Sequence, residues 1–413
     1  MERYDVVIAG GGIGGAGAAT VLARAGLAVC VVEPTTEYPD LVRGEWLAPW
    51  GVAQAQATGL YDVLIAAGGH HIGCHIAFDE LTPPEVAREG GVPLEGLLPG
   101  VPGPLTIRHP VSCQALADAA VAAGATLHRG ATDIALGPDR GLSFVVGGRA
   151  QVAQGRLVIG ADGRASAVRK AIGIELEKVE LGHFLAGVLV DGLDFLGDDT
   201  VEYVATEAGL HSLCFPQGGG RARLYLSYED AQSGRFAGAG RAQAYLDAFV
   251  MGCFPGSEGF PTVQVVGPAK GYRSVDTWCE RPFAEGVVLL GDAAGHNDPL
   301  IGQGLSITLA DIRGITEAML ATDDWSPSTF EAYGHERLER MRRLRMTAHV
   351  YSYANAGFYE ARDREVREEL LANGHVGMVL ATAAVGPALF PDEVYDQVAI
   401  DALLPTAPTM PRG

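Results

Sequence analysis

Residues 5–9, Asp-Val-Val-Ile-Ala, form an apolar run that breaks directly into Gly10-Gly11-Gly12-Ile13-Gly14-Gly15 and then into an Ala-rich stretch reaching Arg24. A run this apolar, ending in consecutive glycines and followed by good helix formers, reads as a buried strand, a tight turn and a helix. A second apolar strand over 28–32 completes one βαβ unit. The glycines satisfy G-x-G-x-x-G, the pattern in which bare backbone NH groups and a helix N-terminus hold a pyrophosphate that side chains would block. Glu33 closes the next strand at about the 20-residue spacing at which a carboxylate meets a ribose hydroxyl. Strand, turn, helix, strand and acid in register indicate an adenine dinucleotide site. The bland alternative is a glycine-rich turn beside a surface glutamate. The motif by itself does not separate FAD from NAD.

The glycines gather at strand-to-helix turns, with no internal repeat. A helix over 112–123, a strand over 126–128 and a short apolar strand over 156–159 continue parallel α/β architecture to about residue 175. The pattern then changes: strands are expected over 188–190, 201–204, 210–215 and 221–228, the last two joined as a hairpin by Gly218-Gly219-Gly220. From Gly286 an apolar strand over 287–290 leads into Gly291-Asp292 and a helix from about Gly304, so the first domain resumes. Helix is expected after Pro327, stopping at Asn373-Gly374. The fold class is therefore α/β: a Rossmann-like dinucleotide-binding domain, an inserted mostly antiparallel β-sheet domain and a C-terminal helical region. The boundaries are 1–175 and 271–330 for the two parts of the first domain, 176–270 for the insertion and 331–413 for the last region.

At 413 residues with 48% apolar composition the chain can fill a large core. Its 30 Lys and Arg against 50 Asp and Glu leave a formal charge of −20, which disfavours nucleic acid or anionic lipid as a partner. Cys30, Cys74, Cys113, Cys214, Cys253 and Cys279 lie far apart with no CxxC, as expected of reduced thiols in a cytoplasmic protein, and any redox chemistry must come from a bound cofactor. The N-terminus lacks the pattern of a signal peptide. The uncharged stretch 376–390 is too short for a membrane span and reads as a buried helix, with contact at a substrate mouth as the alternative. His70, His71 and His75 lack companions at metal-ligand spacing and read as a loop group, so no metal is expected. In the late helix, Glu336–Arg340 and Glu339–Arg343 suggest a salt-laced surface.

Two further segments, Gly160-Ala161-Asp162-Gly163-Arg164-Ala165-Ser166 and Gly291-Asp292-Ala293-Ala294 followed by Pro299, Gly302, Gln303 and Gly304, resemble the class A flavoprotein monooxygenases, the para-hydroxybenzoate hydroxylase-like enzymes. The resemblance runs in order over roughly residues 4 to 340. It implies that Gly10, Gly12, Ile13, Gly14, Gly15 and Glu33 hold the adenosine half of FAD, and that Gly291-Asp292 places a carboxylate on the ribityl and pyrophosphate region. Pro299, Gly302, Gln303, Gly304 and Leu305 then lie beside the isoalloxazine. Asp162 would support flavin and nicotinamide donor, and Arg43 matches an arginine near the flavin. Where many relatives carry Arg in an R-x-x-L pattern, Cys113 stands here; Arg108 or Gln114 is the candidate replacement. Ser306 replaces a common Asn. Independently of the family, Asp292 sits at the C-terminal end of a strand, where open α/β sheets bind ligands.

The implied chemistry is reduction of FAD by NADH or NADPH, then transfer of one oxygen atom of O2 to a small molecule in a site that excludes water. No dedicated catalytic triad is expected. Alternation over 221–226 puts Arg221, Arg223 and Tyr225 on one face of the inserted sheet, either toward flavin and substrate, which makes Arg223 and Tyr225 pocket candidates, or toward solvent as an ordinary sheet face; His211 is on the partner strand. Pro299 and His296 lie in the flavin loop, and His296 is the preferred base or hydrogen-bond donor. Competing readings are a flavin-dependent reductase of the geranylgeranyl reductase type, which shares Gly-Asp-Ala-Ala-Gly, and a non-catalytic FAD-binding protein. Halogenation is disfavoured because Trp46, Trp50, Trp278 and Trp325 never form Trp-x-Trp. Substrate identity and oligomeric state do not follow from these patterns.

Overall fold

A computed structural model describes residues 2–137, 139–238, 240–355 and 364–404. Strands Val6–Ala9, Val29–Glu33 and Leu157–Gly160 are buried at every position, as β-branched runs covered on both faces must be. They belong to a six-stranded sheet in the order Phe283–Ala284, Val287–Leu289, Leu157–Gly160, Val6–Ala9, Val29–Glu33, Thr126–Arg129. All pairings are parallel except that of Phe283–Ala284. Alternation divides the side chains: Val6, Ile8, Val29 and Val31 pack on helices Ile13–Arg24, His109–Ala122 and Gly304–Leu320. Val7, Ala9, Cys30 and Val32 pack on Leu142, Phe144 and Ala153 of a four-stranded sheet. Each of the Val, Ile, Leu and Phe side chains among them contributes about 1.5–3 kcal/mol on full burial. That second sheet, built from Glu2–Arg3, Arg149–Gln154, Gly141–Val146 and Thr132–Leu136, contains an antiparallel meander over 132–154, which the expectation of parallel architecture to residue 175 did not contain.

The largest sheet has eight strands. Its centre is Glu177–Asp191, Arg221–Glu229, Leu210–Pro216 and Val201–Glu207, paired antiparallel, and Gly218-Gly219-Gly220, all at positive φ, turn the expected hairpin. The sheet also recruits strands from outside 176–270. Cys74–Asp79 pairs parallel with Val201–Glu207, and Lys270–Trp278 pairs antiparallel with Glu177–Asp191. Neither was expected here, because hydrophobic alternation marks a strand without naming its partner. One face of this sheet builds an aromatic core with Phe249, Phe254 and Phe260; the other looks toward the six-stranded domain.

Helix Glu331–Asn355 begins the C-terminal region, and the expected continuation across 356–363 lies outside the described residues. Asn373 is not simply a stop. It follows helix Arg364–Ala372 and caps Gly374–Val385, accepting hydrogen bonds from the amides of His375 and Val376. Arg340 and Arg345 are buried rather than on a salt-laced surface, although both expected Glu–Arg pairs form. Among the described residues no helix is long and apolar enough to cross a membrane.

Candidate active site

The turn after Val6–Ala9 is shaped by two close approaches. Gly10 has φ +94°, and a Cβ there would lie 2.5 Å from the Ala161 carbonyl oxygen; a Cβ on Gly15 would lie 1.8 Å from the Gly10 carbonyl oxygen. Any side chain would push the helix off the strand. Above Gly12 there is open space, and helix Ile13–Arg24 has no side-chain cap, so its first amides are available to an anion. Glu33 lines the same cavity while accepting hydrogen bonds from the Gly11 amide at 2.5 Å and from the Thr35 amide and hydroxyl at 2.8 and 2.6 Å. Tyr38 donates its hydroxyl to the Gly11 carbonyl at 2.5 Å, and Arg129 lies 4.4 Å from the centre of its ring.

Arg129, which the sequence did not single out, stands behind Tyr38 and does not line the cavity itself. Cys113 is fully buried and burial pushes its thiol up to about 12, so it brings no charge. The two residues expected to replace an arginine there do not reach the cavity. Arg108 borders a separate cavity of about 180 Å³ with Gln217 and Arg221. Gln114 bonds Asp118 and accepts from Arg129 at 3.0 Å, which orients that guanidinium beside Tyr38. Arg129 ends the strand next to Glu33, a neighbour relation that pairing creates and spacing hides.

The later motifs meet this turn from the other side. Asp162 lines the cavity, but its carboxylate accepts from the Ser166 hydroxyl at 2.5 Å and the Ala167 amide at 2.7 Å, turned toward its own helix. Asp292 projects into the cavity and pairs with Arg164 at 3.1 Å. Burial works against its ionisation, but Arg164, His296 and Arg43 prevail and hold its carboxyl below the ordinary range. Burial and then Arg164 push His296 down to about 4, leaving a neutral imidazole whose Nδ1 lies 2.8 Å from the Thr277 hydroxyl. Arg43, Pro299, Gly302, Gly304 and Leu305 line the cavity as well. Gln303 does not: fully buried, its amide accepts from Trp50 Nε1 at 2.8 Å and donates to the Ala383 carbonyl at 3.0 Å, tying the loop to helix Gly374–Val385.

Behind the Gly291–Gly295 turn stands a clamp with no sequence motif. Buried Asp311 accepts from the Gly291 amide at 2.8 Å and pairs with Arg337 and Arg340 at 3.0 and 2.8 Å. Arg337 in turn donates to the carbonyls of Gly291, Ala294 and Gly295. The turn that presents Asp292 is therefore held at both its amide and carbonyl sides by a charge-assisted network.

The cavity, about 1040 Å³, runs continuously from Glu33 past Gly12 and Asp292 to a chamber beneath the eight-stranded sheet. Leu185, Val204, Leu213, Phe215, Tyr225 and Tyr272 form its roof, and Leu380 and Ala381 of helix Gly374–Val385 close another side. The stretch 376–390 thus begins within helix Gly374–Val385, partly buried and partly against this cavity. Tyr225 faces the cavity rather than solvent; Gly187 opposite it makes room, since a Cβ there would lie 2.6 Å from the tyrosine ring. Arg223 is no pocket residue: it is fully buried, paired with Glu45 and, at 2.8 Å, with Asp40. Alternation assigns a face, but it does not say that residues 40–45 cover that part of it.

Three polar side chains break the apolar roof. His75 Nδ1 lies 2.9 Å from Glu202 Oε1, and Trp46 Nε1 donates to Glu202 Oε2 at 2.7 Å. His75 is not part of a loop cluster: it sits in Cys74–Asp79, whereas His70 and His71 lie in another strand. Near them the Tyr351 hydroxyl is 3.0 Å from His211 Nε2, and burial followed by the charge of Glu202 pushes that phenol upward.

The arrangement fits an extended dinucleotide: a cradle of glycines that Cβ atoms would fill, an uncapped helix N-terminus, and an acid at each end. FAD binding domain is the description of the family (FAD_binding_3) whose model matches residues 3–348. Digeranylgeranylglycerophospholipid reductase of Methanosarcina mazei is 28% identical over 74% of this chain and 72% of its own. The 3-hydroxybenzoate 6-hydroxylase of Polaromonas naphthalenivorans is 24% identical over 82% of this chain and 85% of its own. Among solved structures, PqsL of Pseudomonas aeruginosa, a probable FAD-dependent monooxygenase, superposes with a TM-score of 0.72 at 20% identity, covering 90% of this chain and 100% of its own. With a family match over most of its length and three glycine-rich segments converging on one cleft, this chain belongs to the FAD binding domain family.

Proposed function

We propose that the protein is an FAD-dependent monooxygenase that takes electrons from NADH or NADPH and places one oxygen atom of O2 on a fairly large, mostly apolar or aromatic small molecule, by hydroxylation or epoxidation. The observation that carries this reading is the cofactor cleft opening into a chamber walled by Leu213, Phe215, Tyr225 and Tyr272. The hydroxylase and PqsL relatives support it. Bound FAD supplies the redox and oxygen chemistry.

The chain's own residues do the rest. The amides after Gly12 receive the pyrophosphate, with Glu33 and Asp292 as candidate hydroxyl acceptors. Gly302 and Gly304 let a ring approach the backbone, and the start of helix Gly304–Leu320 favours negative charge there. The roof excludes water and orients the acceptor molecule. His296, neutral at pH 7, is suited to hydrogen bonding beside Asp292. Biosynthetic tailoring in the cytoplasm is the setting we assign.

A second reading, reduction of an isoprenoid double bond, is favoured by the Methanosarcina relative and by Gly291–Gly295. Incubation of the FAD-loaded protein with NADPH and a panel of polycyclic aromatic candidates under 18O2 separates the two. One labelled oxygen atom in the product, with substrate-dependent oxygen consumption, is the expected result. Saturation of a double bond without oxygen uptake overturns it in favour of the reductase, and tight binding without turnover overturns it in favour of a carrier.

A further inference from the structure

The geometry points to His75 as the group that accepts the hydroxyl proton of the substrate, oriented by Glu202, so that the chamber selects planar aromatic molecules bearing a phenolic or enolic hydroxyl. The inference deepens the monooxygenase reading and rests on it only for the oxygen-transfer step after binding.

Glu202 and His75 are direct partners in the parallel pairing of Val201–Glu207 with Cys74–Asp79. Alternation turns both toward the chamber, while Ile76, Phe78 and Tyr203 face the opposite core. Glu202 is 3% exposed, and both its oxygens are occupied, by His75 Nδ1 and Trp46 Nε1. A buried carboxylate so held keeps the proton on Nδ1 and leaves Nε2 as the acceptor. Nε2 has no hydrogen-bond partner among the described residues, and the side chain is 28% exposed at the chamber end of the cavity, where Ala77, Leu94, Val204, Leu213 and Phe215 also line the wall. An unpartnered acceptor on an apolar wall rewards a ligand that brings a donor and penalises one that does not. Proton transfer there breaks the substrate O–H bond, leaves the electron pair on oxygen, forms Nε2–H and places the imidazolium charge against Glu202. The resulting oxyanion makes its ring more electron-rich, as transfer of an electrophilic oxygen atom requires.

The test compares 2-naphthol with 2-methoxynaphthalene, the same ring without a donor, titrated into the FAD-loaded protein and read by naphthyl fluorescence. The wild type is expected to prefer 2-naphthol by roughly five- to tenfold. His75→Phe, which keeps a ring but has no acceptor, is expected to erase that preference while flavin content and affinity for 2-methoxynaphthalene stay within twofold; His75→Ala repeats the test should phenylalanine disturb the fold. Absence of a hydroxyl preference in the wild type, including no uptake of 2-naphthol, overturns the proposal, and so does a preference that survives in both variants. Binding selectivity is read without turnover, so it stands or falls separately from the oxygen-incorporation experiment.

Discussion

Asp276 shows how strongly a single buried group is governed by its surroundings. It is fully buried, accepts from Asn297 Nδ2 at 2.8 Å and the Asp298 amide at 2.6 Å through one oxygen, and holds the flavin loop by its backbone. Burial and then the neighbouring Asp298 push its carboxyl up to about 7. Because that value lies above the unfolded one near 4, the folded chain retains a proton the unfolded chain has lost between about pH 4 and about pH 7. The carboxyl therefore costs stability as pH rises through that window, and the cost is complete above it. Asp276→Asn, which keeps the accepting oxygen, is expected to stabilise the protein by roughly 1–3 kcal/mol at pH 8 and by nothing near pH 4, measured as the difference between thermal unfolding curves at the two pH values. A difference independent of pH would sink this assignment.

At the scale of elements, the glycine turn and the helix after it act as one unit. The helix can bring its first amides close to a pyrophosphate only because Gly15 lies against the Gly10 carbonyl. Gly15→Ala sets a methyl group against backbone that cannot rotate away, and is expected to cost about 3 kcal/mol or more. It should also weaken FAD binding at least about tenfold, scored by flavin fluorescence on dilution. Gly12→Ala is the control: a Cβ there meets nothing within 4 Å, so stability should hold while affinity falls, since the added methyl enters the cleft. Equal loss of stability in both variants would contradict this division of roles. The clamp of Asp311, Arg337 and Arg340 does for the Gly291–Gly295 turn what close packing does for the first, which explains why a late helix with no ligand motif bears on the site.

For the whole molecule, the charge cluster of Arg223, Glu45 and Asp40 joins the chain leading into the cavity wall to the eight-stranded sheet. Burial raises the Glu45 carboxyl, against the pull of Arg223. Removing one partner strands a buried charge, so Arg223→Met is expected to destabilise by about 3–5 kcal/mol, and adding Glu45→Gln to recover more than half of it, both from denaturant unfolding. No recovery in the double variant would mean that Arg223 acts by packing rather than by charge. The dinucleotide turn, the Gly-Asp segment and the change to an antiparallel sheet were legible from local signals, because turn glycines, strand-end acids and two-residue alternation each occupy a short window of chain. Arg129 beside Tyr38, the recruitment of Cys74–Asp79, the concealment of Arg223, the turning away of Arg108 and Gln303, and the His75–Glu202 pair were not. Each depends on which strand lies next to which and on what covers a given face. The sequence alone determined that an extended dinucleotide is held at glycine-lined strand ends; strand order and long-range packing alone decided which side chains look into the chamber, since that is a property of neighbours distant along the chain and not of any local period.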